Sequence, residues 1–467
     1  MNPDAVERYS VHDILTISSI HPFYNSKIRF PPTDAQIKET IGGSRAKEPS
    51  TLNSFPLTHK HDLYQIIQRL IAEDDPKNVF RHASYISTTG GGSGGVPMVY
   101  FTDAWENRMQ RFSAAKLFKT CGIIEPGDCI LTMHASGNLY RSLDLTAELV
   151  ENAGGTVFPA GHLMSQADVI DLLSAFRINV ISGDSSQVLQ LAMYVSTLPE
   201  TQRKSVSINK VLYTSEPLVQ SQRAYIKSVF GDVLICSAFG SAEAGPWAVM
   251  NPTLTGDGDD DTADFIFDTR NILVEVFPPA AAERASNVSQ QGILKPLADG
   301  EVGVIVLTSL QRLRNPLVRY VSGDVGSLHP MPKTDAIDSK EAQHLKTLRL
   351  HGRDQRFSFN WQGEYFDFQA VRHLIQSEEF CVLQWQIILK SEASHTHSLE
   401  VRILRRQSPD KSLSDMDVDM VRKLRKFFHV VSDTEPYFSI KFLGDLQGFE
   451  RSSTGNKVIR FIDMRGH

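Results

Sequence analysis

The 467-residue sequence has no basic excess, few cysteines and no long apolar run. Its 48 Lys and Arg are outnumbered by 54 Asp and Glu, for a formal net charge of -6, so its charge points to no nucleic-acid partner. Four cysteines, Cys121, Cys129, Cys236 and Cys381, lack the paired spacing of a zinc site. They are also too sparse to staple a secreted fold of this size, and read as reduced core thiols. No apolar run reaches the length of a membrane helix, and the opening MNPDAVERYS lacks a basic end followed by an apolar stretch. No membrane partner is expected, and the expected location is cytoplasmic.

The chain does contain enough apolar residues, 41%, with 22% charged, for an ordinary globular protein. Its length calls for two or more domains. Residues 1–80 read as helices separated by Pro-containing turns. In DLYQIIQRLIAEDD, Leu63, Ile66, Ile67, Leu70 and Ile71 recur at helical spacing, and this region is read as an outer layer rather than a catalytic centre. Between about 105 and 230, helical stretches such as WENRMQRFSAAKLFKT alternate with the short apolar runs CILTM, TVFP, INVIS, KVLYT and VLICSAF. That is the pattern of an α/β domain with a buried sheet.

From 264 to 328 the texture turns to β, with DFIFD, NILVEVF and GVIVLTSL suggesting a β-rich subdomain. MPKTDAIDSKEAQHLK (331–346) is polar and reads as a solvated loop or insertion before a hinge. Beyond it come a helix (FQAVRHLIQ), two strands (VLQWQIIL, LEVRIL), a helix (DMDVDMVRKLRKFF) and a strand (FSIKFL), a compact α+β unit. The acidic stretch at 256–262 has Thr262 where a calcium loop needs its glycine, and is read as a solvated turn.

The segment SYISTTGGGSGGVPMVYFTD packs hydroxyl residues beside five glycines, whose amides can turn toward an anion without Cβ interference. Gly90, Gly92 and Gly95 also fit the spacing of a dinucleotide fingerprint, and Gly91, Ser93 and Gly95 that of a hydrolase nucleophile elbow. Both of those motifs run into a helix. Here VPMVYFTD follows, β-rich and with Pro97 second, so the loop is read as joining two strands. A Walker loop is excluded because no Gly-Lys-Ser/Thr stands at the required spacing.

HASYISTTGGGSGGVP resembles the phosphate loop of adenylate-forming enzymes, in particular the phenylacetate-coenzyme A ligase branch. HPFYNSK (21–27) and PLTHKHDL (56–63) resemble that branch's N-terminal segments. FGSAEAGPWA (239–248) resembles its Tyr-Gly-x-x-Glu motif and RYVSGD (319–324) its ribose-binding motif. HGR (351–353) is similar to the hinge motif, and STGNKVIRFID (453–463) to the C-terminal lysine motif. The matches keep the family's order across the chain. The resemblance implies a large N-terminal adenylating domain, 1–351, with β-sheets, flanking helices and a β-rich subdomain. A small mobile C-terminal α+β domain, 352–467, would act as its lid.

The activity so implied is attack of a small, aryl or similar carboxylate on the α-phosphorus of ATP, releasing pyrophosphate. The acyl group would then pass from AMP to coenzyme A, or alternatively to an amine to give an amide. By resemblance, Ser87, Thr88, Thr89, Gly90, Gly91, Gly92, Ser93, Gly94 and Gly95 would hold the phosphates. Glu243 would ligand Mg2+, which suits a carboxylate beside bridging phosphates. Phe239, Gly240 and Ser241, with Ser215, Glu216 and Pro217, would lie near adenine. Asp324 would accept from the ribose hydroxyls and Arg353 would donate to ribose or phosphates. Lys457 would bridge the attacking carboxylate and the α-phosphate, cancelling the repulsion between two anions. His134, Gly137, Asn138, Tyr140 and Ala238 would line the acid pocket, together with the segments HASGNLY, GHL (161–163) and TSEPL (214–218).

Three positions depart from the family pattern: Val96 for a loop Lys, Asn456 for the Gly before the catalytic lysine, and Gln355 for a hinge Asp. An idle nucleotide-binding homologue is the rival from another class, and retention of Glu243, Asp324, Arg353 and Lys457 argues against it. A homodimer is left open by the sequence.

Overall fold

The computed structural model describes residues 8–44, 51–88, 99–137, 139–215, 217–258, 262–279, 295–353, 358–361, 364–391, 397–406, 413–432, 434–452 and 456–465. Among these residues, eleven strands form one mixed sheet. Its parallel half runs, in spatial order, Thr156–Pro159, Cys129–Thr132, Val180–Asp184, Lys210–Thr214 and Leu234–Ser241. These are the apolar runs read from the sequence. Their continuous hydrophobicity has a cause: Val180–Asp184 is buried along its whole length, covered on both faces.

The helices between the strands start where the sequence supplies caps. Asp103 accepts from the amides of Trp105 and Glu106 and opens helix Ala104–Thr120. Asp184 and Gln187 form a reciprocal capping box that opens helix Ser185–Thr197 directly from the end of a strand. Ser165 caps Gln166–Ala175 through the Asp168 amide.

The antiparallel half continues the same sheet through Gly245–Met250, Ala263–Asp268, Leu345–Arg353, Tyr320–Pro330, Gly303–Ser309 and Ile272–Phe277. The β-rich stretch is therefore one wing of the main sheet and not a separate layer. Strand Leu345–Arg353 inserts between Ala263–Asp268 and Tyr320–Pro330, joining residues some 80 positions apart in the chain. The 331–346 segment is correspondingly more structured than its polarity suggested. It holds helix Ser339–Ala342, whose Glu341 pairs with Arg270, and its last two residues already belong to a sheet strand.

A four-stranded sheet, Phe438–Leu443, His397–Arg405, Val382–Ser391 and Phe461–Met464 in spatial order, carries the C-terminal part. Helices Phe368–Ile375 and Leu413–Phe427 complete it, and Val371, Ile375, Met420 and Leu424 join the two central strands in an apolar core of their own. The two parts touch: Leu383, Leu404, Leu446, Phe449 and Val458 enter the apolar cluster of the large sheet, and Gln384 donates to Ser186 Oγ at 2.9 Å. Among the described residues no helix is long and apolar enough to cross a membrane.

Candidate active site

After Cys129–Thr132 the chain crosses outward to Thr156–Pro159 and then back to Val180–Asp184, so the connections diverge between the strands ending at Thr132 and Asp184. In open α/β sheets that divergence, at the carboxyl ends of the strands, leaves a crevice for ligands. His134 stands there, 2% exposed, with Nε2 3.4 Å from Ser182 Oγ. Burial, and then the charge of Lys457, push its pKa down to about 3, so the imidazole is neutral at ordinary pH.

Lys457 arrives from the C-terminal part. Its Nζ lies 5.6 Å from the centre of the Tyr140 ring, a cation over an aromatic face. The hairpin carrying it, closed by a bridge between Arg451 and Val458, is braced from below by Gln386. This fully buried amide donates to the carbonyls of Glu450 at 2.9 Å and Ile459 at 2.6 Å, and accepts from the Glu450 amide. At the hairpin turn Asn456 has φ 52°, a left-handed conformation that glycine adopts freely and asparagine tolerates best among the others. The Asn at this position therefore keeps the turn that a Gly would make.

Strands Ser84–Thr88 and Val99–Asp103 pair antiparallel, so the glycine-rich segment joins two strands as its flanks predicted. Its two last described residues tie it to two places at once. Ser87 Oγ donates to the Ala242 carbonyl at 3.3 Å, and Thr88 Oγ1 to the Leu139 carbonyl at 3.2 Å. One neighbour is the turn bearing Glu243 and the other the small hairpin bearing Tyr140. Thr89, the glycines Gly90, Gly91, Gly92, Gly94 and Gly95, Ser93, Val96, Asn138, Glu216 and Gln355 lie outside the described residues, as does the side chain of Arg353.

Glu243 is 3% exposed. Tyr64 donates to its Oε1 at 2.9 Å and Lys60 Nζ stands 3.2 Å from the same oxygen. Burial alone would raise its pKa. The Lys60 charge, its own amide and the Tyr64 and Lys60 hydrogen bonds outweigh burial, so the carboxylate is held below its ordinary range. Tyr64 and Tyr320 shift the other way, both pushed up first by burial and then by the Glu243 charge, and stay protonated donors.

Lys60 and Tyr64 belong to helix Lys60–Ala72, which had been read as an outer layer. That reading is corrected: the apolar stripe Leu63, Ile67 and Leu70 buries one face of the helix and aims its first turn at Glu243. The sequence signal for it is the segment PLTHKHDL, which contains Lys60. A second missed residue is Arg312, 1% exposed beneath the Glu243 turn. One terminal nitrogen donates to the Glu243 carbonyl and the other to Gln110 Oε1 at 2.6 Å, while Gln110 donates to the Ala244 carbonyl. Gly245 has φ 71° and packs against Gln110 so tightly that a side chain there would collide with it.

The remaining sequence-derived residues spread along the sheet edge. Phe239 packs between Trp247 and Phe265, and Gly240 lies against Gly245, where a Cβ has no room. Ser241 Oγ accepts from the Ala244 amide at 3.1 Å. Ala238 pairs with Thr214, which brings Ser215, at φ 84°, to the same end of the strands, with Pro217 two residues on. Asp324 sits in register with Arg353, its amide donating to Ser322 Oγ, and its charge reaches Tyr320. Gly137 and Tyr140 pair across the small hairpin.

For Mg2+, Glu243 is an ionised carboxylate with hydroxyls around it, and magnesium is commonly held by one or two carboxylates with the substrate's phosphates supplying the rest. The residues fit that use. No cluster of three or more His, Cys, Asp or Glu able to hold a metal alone occurs among the described residues.

This sheet, with its C-terminal four-stranded partner, is the fold of the adenylate-forming ligases. Two solved structures of a 2-hydroxyisobutyryl-CoA ligase in its postadenylation state superpose with TM-scores of 0.65 and 0.64, at 17% and 16% identity. Each match covers 97% of this chain and 89% of that one. The same ligase with CoA, in its thioesterification state, matches at 0.54. In sequence, the chain is 29% identical over 297 residues to an indoleacetate–lysine synthetase of Pseudomonas savastanoi, spanning 62% of this chain and 62% of that relative's length. No family model matches the sequence.

Proposed function

We propose that the protein is an ATP-dependent, AMP-forming carboxylate ligase. It activates a small, aryl or similar acid as an acyl-adenylate and hands the acyl group to a nucleophile. One observation carries the reading: Ser87 and Thr88, at the mouth of the glycine loop, bind the Glu243 turn and the Tyr140 hairpin, and Lys457 lies over Tyr140. In this reading the hydroxyls flanking the glycine loop, a carboxylate for Mg2+ and a cation for the attacking acid serve one site at the carboxyl ends of the parallel strands.

In this reading Lys457 screens the repulsion between acid and α-phosphate, and the neutral His134 borders the acid without adding a charge. Mg2+, when bound at Glu243, would neutralise phosphate charge as pyrophosphate leaves. Asp324 and Arg353 would hold the ribose, and Phe239 with Ser215 and Pro217 the adenine. The division at 351/352, closure of the C-terminal part over the site, and a cytoplasmic setting for the four unpaired cysteines belong to the same proposal.

Two acceptors are compatible with the fold: coenzyme A, as in the 2-hydroxyisobutyryl-CoA ligase, and an amine. The relative found by sequence is by name an acid–lysine synthetase, which favours the amine. Acid-dependent exchange of labelled pyrophosphate into ATP, across a panel of carboxylic acids, tests the adenylation step. Absence of exchange with every acid would overturn the proposal and leave an idle nucleotide-binding protein.

A further inference from the structure

A cavity of about 500 Å³ lies between the two parts of the chain, walled by the loop after strand Thr156–Pro159, helices Gln166–Ala175 and Ser185–Thr197, and the Lys457 hairpin. Two of its wall residues, Met133 and Asn456, immediately precede His134 and Lys457. The cavity therefore adjoins the place where the acyl-adenylate carbonyl would stand. Of the residues expected to hold the acid, Gly161 and His162 line it, whereas Gly137, Tyr140 and Ala238 lie elsewhere.

The wall is polar and its chemistry is one-sided. Among the described residues lining the cavity, Arg451 is the one permanently charged side chain, and no carboxylate is present. One of the five guanidinium N–H groups of Arg451 is engaged, by the Leu446 carbonyl at 2.7 Å. Gln187 is fixed, its amide nitrogen on the Met133 carbonyl and its oxygen on the Asp184 amide, so it shapes the wall. Gln166 differs, because its Oε1 is buried with no hydrogen-bond partner among the described residues, an acceptor lacking a donor there.

We propose that this cavity binds the acyl acceptor, and that the acceptor is an amino acid, a small amine carrying a carboxylate. The carboxylate pairs with Arg451 and an amine N–H donates to Gln166 Oε1. The inference rests on the adenylation reading and deepens it. A wall without an acid does not hold an ammonium ion, so the amine enters as the free base. Its lone pair attacks the acyl carbon, the bond from that carbon to the phosphate oxygen breaks, and AMP leaves with the electron pair. The surplus proton on nitrogen passes to water, leaving a neutral amide. A coenzyme A arm would enter such a cavity by its thiol end, but the single arginine there offers nothing to a nucleotide's several phosphates.

The test uses the full-length protein with an acid already shown to support pyrophosphate exchange. Products are then quantified with alanine, with ethylamine as its carboxylate-free counterpart, and with coenzyme A. The acyl-alanine amide is expected, with kcat/KM exceeding that for ethylamine by roughly tenfold or more, the worth of one charge-assisted contact. Arg451→Gln should collapse that alanine-to-ethylamine ratio toward unity. Gln166→Leu, on the other wall, should raise KM for both amines and so keeps the proposal testable where Arg451→Gln fails to fold. Thioester as the sole product, or equal use of alanine and ethylamine by the unaltered protein, overturns the proposal while leaving adenylation standing. Absence of exchange with any acid overturns both.

Discussion

Lys60 Nζ stands 3.2 Å from Glu243 Oε1, across 183 residues of chain, and brings an N-terminal helix to the candidate site. The pair sets the charge where phosphates and Mg2+ are proposed to bind. Removing the cation leaves a buried carboxylate with less compensation, and takes one positive charge from the phosphate side. Lys60→Ala is expected to raise KM for MgATP in pyrophosphate exchange by roughly tenfold, with Lys60→Arg recovering part of the loss. An unchanged KM in Lys60→Ala would place the lysine outside the nucleotide's reach.

The Glu243 turn is also held from beneath. Arg312 is buried with both terminal nitrogens committed, to Glu243 O and Gln110 Oε1. Burial pulls its pKa down, countered by Tyr100, Glu106 and Glu243. Arg312→Met should cost stability on the order of 3 kcal/mol, the usual scale for stranding partners of a buried cation. It should also raise the Mg2+ concentration needed for half-maximal exchange, which a loss of stability alone would not do. Urea denaturation and a magnesium titration read the two effects separately.

Much of the fold was legible, for physical reasons that also explain the misses. Apolar runs such as KVLYT bury both faces, and Asp103 and Ser165 announce helix starts through local hydrogen bonds, so these elements follow from nearby residues. Strand pairing is non-local. Nothing around Leu345 says that it will slot between Ala263–Asp268 and Tyr320–Pro330, so a polar loop was expected where a strand begins. The same holds for the site. Glu243, Asp324 and Lys457 are candidates that motifs alone propose, whereas Lys60, Tyr64 and Arg312 enter the candidate site through distant contacts that only the folded chain reveals.

The buried neutral His134 gives stability a pH dependence of fixed sign. Its folded pKa, about 3, lies below the ordinary 6.5, so between these values the unfolded chain binds a proton that the native chain does not. Its contribution is present above 6.5 and is lost progressively as pH falls toward about 3. Between about pH 7 and about pH 5 the loss should approach 2 kcal/mol. His134→Gln should remove that slope, so the stability difference between the two pH values shrinks by this amount relative to the unaltered protein. Other titrating groups cancel in the comparison, and an identical slope in both proteins would count against a buried neutral imidazole.

Lys457 offers the sharpest separation of the two half-reactions. It reaches the site from a hairpin whose two sides are bound by Gln386, so its ammonium is positioned from the C-terminal part while Tyr140 and His134 belong to the N-terminal part. The repulsion it is proposed to cancel, between a carboxylate and the α-phosphate, exists only while the adenylate is forming. Once pyrophosphate has left, that service is no longer required. Lys457→Ala should therefore lower acid-dependent pyrophosphate exchange by roughly 100-fold or more, the scale of a lost electrostatic donor at a reacting centre. Transfer from a supplied acyl-adenylate should fall far less. Gln386→Leu keeps the lysine but loosens its hairpin, and should lower kcat for exchange with little change in KM for ATP. Equal losses in both half-reactions for Lys457→Ala would instead assign the lysine to binding the adenylate itself.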